Sequence, residues 1–311
     1  MKVNIFSKKH YILIQDLKQS KIHPFFPFAL IIGFLLFFLA SKLSAIPMLA
    51  FTSLILLVGG LDFTIIYSFQ KLIIPFGTLL ILIFLWIKFV ERRKFSTLGF
   101  SKTDALHKFL NGFLVGFLII SVISTLILLF RGASFEFDSL FTFKSFFGFF
   151  FILIGFIVQG FAEETLSRGW LLPIISERHS VQLGILISSL FFVSLHIFNT
   201  NISALALINL FLFSIFASLY TLNNDSLWEM SALHGAWNFT QASIFGFSLN
   251  GSKVIGGSLL NMKSAGSNIV SGGEYGTNAS IILTLALIVS IAFVYIKSTK
   301  EYTIKHKKKM D

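Results

Sequence analysis

The sequence predicts an all-α, polytopic membrane protein of eight or nine transmembrane helices packed around a buried polar site. Three observations carry that prediction. Hydrophobic residues make up 55% of the 311 positions and charged residues 13%, against about 25% charged in ordinary soluble domains. Apolar stretches of about 20 residues, the length that crosses a bilayer as helix, recur along nearly the whole chain. Ionisable residues stand inside three of those stretches, where each costs roughly 2.5–3.5 kcal/mol at a helix centre and so calls for a reason. The 40 Phe against four Trp and six Tyr suit a lipid-facing surface better than a close-packed soluble core.

Residues 1–24 form a polar, lysine-rich leader with no small-residue cleavage site behind the apolar run that starts at Phe25, so no secretory signal is read. It is expected either as a solvated segment or, because Ile12, Leu13 and Leu17 interleave with its lysines, as a segment lying on an anionic cytoplasmic membrane surface. The N-terminal spans of residues 25–90 fall near 25–41, 48–66 and 71–90; the second is interrupted by Gly59, Gly60 and Asp62, read as a helix break. A basic loop, 91–108, opens with Glu91-Arg92-Arg93-Lys94. The region 109–248 is the expected core, with spans near 109–130, 146–172, 181–198, 202–222 and 226–248. Residues 249–279, rich in Gly, Ser and Asn, read as a flexible external loop, and 280–311 as a last span, near 280–296, with a basic tail.

The net charge of +11 does not imply a nucleic-acid partner. Of 25 Lys and Arg, five fall in residues 1–21, six in 88–108 and six in 297–309. Basic residues confined to flanks and loops are what positive-inside topology produces, which makes leader, 91–108 loop and tail cytoplasmic. Parity is satisfied from residue 91 onward but not by three spans within 25–90, so the choice between eight and nine spans stays open. The absence of cysteine excludes disulfides, thiolate metal sites and a cysteine nucleophile.

The costly polar residues form three runs: Glu163-Glu164 with Arg168, Phe192 to His196, and His234 to Asn238, the last continued by Gln241. Glu164 and Arg168, four apart, share a helix face and can pair. Glu163 points about 100° away and is left free, as proton transfer requires of a carboxylate. If the 173–180 turn is cytoplasmic, Glu163 lies ~18 Å inside that face, His196 ~22 Å, His234 ~13 Å and Asn238 ~19 Å at 1.5 Å per residue. Structural polar residues scattered for interhelical hydrogen bonding would have no reason to match in depth.

These runs resemble the CPBP family, the CAAX-protease and bacteriocin-processing membrane enzymes also called Abi, whose pattern EExxxR, FxxxH, HxxxN stands here as Glu163-Glu164…Arg168, Phe192…His196 and His234…Asn238. Gly169, Ser188 to Phe191 and Ser226-Leu227-Trp228 agree as flanks, and Arg93 to Phe100 is similar to the family's pre-core loop. Ser167 departs from it, since an aromatic usually precedes the Arg. The resemblance covers about 146–248 and implies an intramembrane endopeptidase. By it, Glu163 and His196 activate a water, His234 and Asn238 donate to the oxyanion, and Glu164 with Arg168 support them. No cofactor is expected; the alternative is a zinc ion held by Glu163, His196 and His234.

A peptide or membrane-protein substrate, bound from within the lipid bilayer, follows from that resemblance, as does a role in bacteriocin or leader-peptide processing or self-immunity. The rival readings are a non-catalytic immunity or scaffold protein and, for any chain with buried ionisable residues, a transporter or channel. No inverted repeat favours the latter. The expected location is a bacterial plasma membrane; oligomeric state is not legible.

Overall fold

The computed structural model describes residues 6–22, 24–58, 63–136, 143–253 and 258–307. It is nearly all-α. A short helix α1 (Ile12–Asp16) precedes α2 (Phe26–Leu43), α3 (Ala45–Val58), α4 (Phe63–Leu85), α5 (Ala105–Leu129), α6 (Phe143–Glu164), α7 (Leu172–Arg178), α8 (Val181–Ser194), α9 (Ala204–Asn224), α10 (Leu227–Phe239), the single turn α11 (Asn268–Ser271) and α12 (Ile281–Lys307). One antiparallel ribbon, β1 (Ala133–Glu136) with β2 (Asn261–Ser264), pairs Ala133 with Ser264 and Glu136 with Asn261.

Six helical runs among the described residues are long and apolar enough to cross a membrane: Phe26–Leu57, Ile65–Glu91, Ala105–Leu129, Gly148–Arg178, Ala204–Asn224 and Ile281–Thr303. Their outward faces are apolar and exposed, as at Leu57, Leu110, Val122 and Phe293, the signature of a surface solvated by lipid. α8 is apolar but only 14 residues long, and α10 is extended to Ile244 by a π-helical turn, Thr240–Ile244. Two of the expected spans, near 25–41 and 48–66, are instead one run, Phe26–Leu57, interrupted only at Ser44. Pro47, which has no N–H to give the carbonyl four residues back, accounts for the defect. The expected break at Gly59, Gly60 and Asp62 lies outside the described residues.

The ends of the bundle differ in character. One gathers the leader, the 91–101 loop, the α7–α8 turn, the start of α10 and the end of α12: the Lys8 ammonium donates to the Glu177 carbonyl, Ile12 N–H to Asp225, Leu227 N–H to Gly99 O, and Trp228 Nε1 to Ser101 O. The leader, expected to be solvated or to lie on lipid, is docked protein: Leu13, Ile14 and Leu17 are buried against the bundle. Burial pushes the Tyr11 phenol up, with Tyr302 adding to the shift. The other end holds the ribbon, residues 199–203 and the segment after α10. That segment, expected to be a flexible loop, is built into the bundle through buried Tyr275, Thr277, Asn278 and Ala279. Its Gly/Ser/Asn composition supplies tight turns and short polar side chains: Asn209 Nδ2 donates to the carbonyls of Asn278 and Ser280 at 3.0 and 2.9 Å, and Gln241 Nε2 to Ser248 O at 2.7 Å.

Close helix crossings place the polar residues. A Cβ on Gly112 would lie 1.9 Å from the Glu229 carbonyl oxygen and one on Gly116 2.3 Å from that of Leu233, so α5 and α10 touch backbone to backbone. The same holds for α6 and α10, where a Cβ on Gly160 would meet Gly235 N and Ser231 O at 2.7 Å. Small residues are how membrane helices reach such approach, and here they bring the Glu163 turn of α6 against the His234 turn of α10.

Candidate active site

Glu163 and Glu164 close α6, and a π-helical segment, Thr165–Leu171, follows at once. Pro173 withholds the hydrogen bond that Gly169 O would accept in a regular helix, which favours the widened turn. Arg168 lies inside it, fully buried. Its Nη1 donates to Glu164 Oε1 at 3.0 Å, its Nη2 to Ser214 Oγ on α9 at 2.7 Å, and its guanidinium lies 4.5 Å over the Phe192 ring of α8. One side chain thereby ties α6, α8 and α9 together.

His234 fits between the two carboxylates. Its Nδ1 donates to Glu164 Oε1 at 2.8 Å; the partner is a carboxylate already bound to Arg168, so the proton belongs to the ring. The opposite nitrogen, Nε2, faces Glu163 Oε2 at 3.8 Å, beyond hydrogen-bond range. Glu163 is held from its other oxygen: Gln159 Nε2, one turn back on α6, donates to Oε1 at 3.0 Å. Oε2 is buried and accepts no hydrogen bond among the described residues. Gln159 also reaches Asn238, whose Nδ2 lies 3.5 Å from Gln159 Oε1.

His196 lies just past the end of α8, 8% exposed. Its Nδ1 donates to the Phe192 carbonyl at 2.8 Å, which leaves Nε2 as the lone-pair nitrogen of the neutral ring. It borders two cavities. One, of about 390 Å³, has Gln159, Glu163 and His196 in its wall and opens toward Lys71 and Lys253. The other, about 20 Å³ and so of water size, is lined by His196, His234, Asn238, Asn209 and Asn278.

Of the six residues singled out in the sequence, Glu163, His196, His234 and Asn238 line these two cavities, which share His196 and Asn250, while Glu164 and Arg168 lie behind His234. Glu163 and His196 share the wall of the larger cavity, and Glu163 Oε2 also faces His234 Nε2 at 3.8 Å. Gln159, Asn209 and Asn278 were not singled out in the sequence. Gln159 and Asn209 carried the same signal as the others, an amide inside an apolar span. Asn278 carried none, because it stands in a segment whose composition reads as solvated. Near it, burial raises the Tyr275 phenol, and the Glu163 charge adds to that shift; Asn199 Nδ2 donates to Tyr275 Oη at 3.2 Å.

The zinc alternative can be tested on the donor set. Among the described residues no group of three or more His, Asp or Glu is arranged to hold a metal ion. The Nδ1 hydrogen bonds of His234 to Glu164 and of His196 to a carbonyl leave both Nε2 atoms open, as a metal-ligating imidazole requires, but Glu163, His196 and His234 do not form such a group. As positioned, these residues do not fit the metal.

No curated protein and no solved structure matches the chain. The family model described as type II CAAX prenyl endopeptidase Rce1-like matches residues 144–240, a stretch that runs from α6 to the end of α10 and takes in both carboxylates, Arg168, both histidines and Asn238. Residues 144–240 of this multi-pass membrane protein are a domain of the CPBP family, of CAAX-protease type.

Proposed function

We propose that the chain is an intramembrane endopeptidase in which Glu163 is the general base. One observation carries the reading: Glu163 has one oxygen fixed by Gln159 and the other buried, unpaired and bordering a cavity large enough for a peptide segment. A carboxylate held in that way is oriented without being quenched. Water bound between Glu163 Oε2 and the lone pair of His196 Nε2 attacks the peptide carbonyl, and Glu163 takes its proton. The tetrahedral oxyanion is met from the α10 side, where Asn238 donates from Nδ2; His234 Nε2 adds a second donor only when its ring carries both protons. The proton on Glu163 then passes to the leaving amine as the C–N bond breaks. Glu164 and Arg168 hold His234 from behind, so that its ring has one orientation.

The chain passes the membrane eight times in this reading. Phe26–Leu57 as one crossing and Ile65–Glu91 as the second restore the parity that three spans denied. The short α8 and α10 bring the crossings after residue 91 to six, and the leader, the 91–101 loop and the tail then share the basic, cytoplasmic side. The substrate is a peptide or membrane-associated protein, with bacteriocin, leader-peptide or prenylated C-terminal segments as candidates, in a plasma membrane.

The test is cleavage of a quenched fluorescent peptide library by purified protein in proteoliposomes. Glu163→Ala, His196→Ala and His234→Ala are each expected to abolish cleavage while the protein still inserts and elutes as wild type. Chelator is expected to leave activity unchanged; loss on chelation with recovery on zinc addition would overturn the metal-free step. If Glu163→Ala abolishes cleavage but preserves the biological effect, binding alone is the function.

A further inference from the structure

The larger cavity has walls of two kinds. Glu163 and Gln159 form its buried end, Phe37, Leu72 and Phe156 give apolar flanks, and exposed Lys71 and Lys253 mark its mouth. The two lysines come from separate segments, one from α4 and one from the chain after α10. Neither has a carboxylate partner among the described residues; Lys71 Nζ lies 4.3 Å over the Tyr67 ring, which steadies the ammonium and leaves its N–H donors open.

Two features set them apart from ordinary flanking lysines. They lie at the end of the bundle opposite the leader, the 91–101 loop and the tail, so the bias that gathers basic residues at the cytoplasmic side does not account for them. Lys71 also falls within the apolar run Ile65–Glu91, where an ammonium is costly and marks a functional position.

We propose that Lys71 and Lys253 form an anion subsite at the mouth of the cleavage cavity, which takes a carboxylate of the substrate while the apolar flanks take its side chains. The inference rests on the peptidase reading and gives it a substrate class: apolar peptides with an anionic group on one side of the scissile bond. The charge gradient orients them. A carboxylate is attracted at the mouth and repelled by Glu163 at the buried end, so the anionic end stays outward and the bond to be cut lies inward of it. The carboxylate can be a free C-terminus or an acidic side chain within a longer chain; both offer the same chemistry to two point charges.

Binding is measured by fluorescence anisotropy, with full-length Glu163→Gln protein in phosphatidylcholine nanodiscs. The probes are three labelled octapeptides of one Ala/Leu/Phe sequence: free acid, C-terminal amide, and C-terminal amide with one internal Glu. At least one anionic peptide is expected to bind roughly fivefold tighter than the neutral amide, a modest ratio for partly exposed charges. Lys71→Met with Lys253→Met is expected to remove that preference and leave the neutral amide's affinity unchanged, whereas Lys88→Met, in the π-helical turn Trp86–Glu91 that follows α4, keeps it. A preference for the free acid alone identifies a C-terminal carboxylate as the source; preference for the Glu peptide identifies a side chain. Equal binding of all three peptides, persistence of the preference in the double variant, or the same loss in Lys88→Met would overturn the subsite. Absence of cleavage by the wild-type protein would instead sink the peptidase reading, without altering these binding ratios.

Discussion

Glu91 and Glu163 are both glutamates buried at the C-terminal ends of apolar helical runs, and they are treated in opposite ways. Glu91 is fully buried and saturated: Oε1 accepts from Trp86 Nε1 at 2.9 Å and Trp170 Nε1 at 2.6 Å, and Oε2 from Arg93 Nε at 2.7 Å. Its carbonyl accepts from Lys21 N–H, so the leader, the end of α4 and the α6–α7 segment meet on one residue. Glu163 has one donor on one oxygen and none on the other; in Glu164 a single oxygen takes both Arg168 and His234 while Oε2 accepts nothing among the described residues. A carboxylate saturated with donors has its charge compensated and becomes a structural tie. One left short of donors keeps its basicity at a cost in stability, which close crossings such as Gly160 against Gly235 must offset.

Exchanging carboxylate for amide at each position separates the two roles most strongly. Glu163→Gln is expected to lower kcat by about 10²–10⁴-fold, the usual contribution of a general base, with thermal unfolding unchanged or slightly raised. Glu91→Gln turns an acceptor-only group into one whose NH₂ confronts indole N–H or guanidinium donors, and is expected to destabilise by about 3 kcal/mol. Activity per folded molecule should survive in that variant. Peptide turnover and thermal unfolding in one detergent measure both, and a stability loss at Glu163 matched by lost turnover at Glu91 would reverse the comparison.

Glu164 lies between these cases, because it saturates one oxygen and holds a reactive neighbour. Glu164→Gln leaves Arg168 with a neutral acceptor and loosens the Nδ1–H bond that orients His234. The expected result is a 10- to 100-fold fall in kcat, the range seen when a group orienting a functional histidine is removed, together with a lower unfolding temperature. A change in only one of the two would assign Glu164 wholly to structure or wholly to catalysis.

How much of this was legible in the sequence follows from where each signal lives. Buried charge in an apolar run is visible without coordinates, and so Glu163, Glu164, Arg168, His196, His234 and Asn238 could be named. The i, i+4 spacing also gives the Glu164–Arg168 pair, observed at 3.0 Å. Spacing within a helix says nothing about contacts between helices, which is why the placing of His234 Nε2 against Glu163 Oε2 is not legible in it. Glu91 and Arg93 read only as the opening of a basic cytoplasmic loop, because the partners of Glu91 besides Arg93, Trp86 and Trp170, are apolar by composition and polar only at one indole nitrogen. The 249–279 segment misled for a related reason: the Asn278 side chain donates to Asn250 and accepts from the Trp237 indole, and its carbonyl accepts from Asn209, partners that no composition count reveals. Gly59, Gly60 and Asp62 pointed to a break in the 48–66 span; they lie outside the described residues, between the end of α3 at Val58 and the start of α4 at Phe63, and the interruption at Ser44, set by Pro47, was not read from the sequence.

Gln159 offers the finest test of how an under-coordinated carboxylate is kept in place. Its Nε2 fixes Glu163 Oε1 at 3.0 Å, while its Oε1 lies 3.5 Å from Asn238 Nδ2, so one amide aligns the base on α6 with the oxyanion donor on α10. It touches the groups proposed to react, and it also lines the cavity where substrate would bind; the two roles predict different kinetics. As a positioning residue, Gln159→Leu would leave Glu163 free to rotate and lower kcat about tenfold, the size of one lost hydrogen bond to a charged group, with KM and unfolding temperature unchanged. As a substrate contact, the same change would raise KM and spare kcat. The geometry predicts the first pattern, since both polar ends of the Gln159 amide already face protein groups.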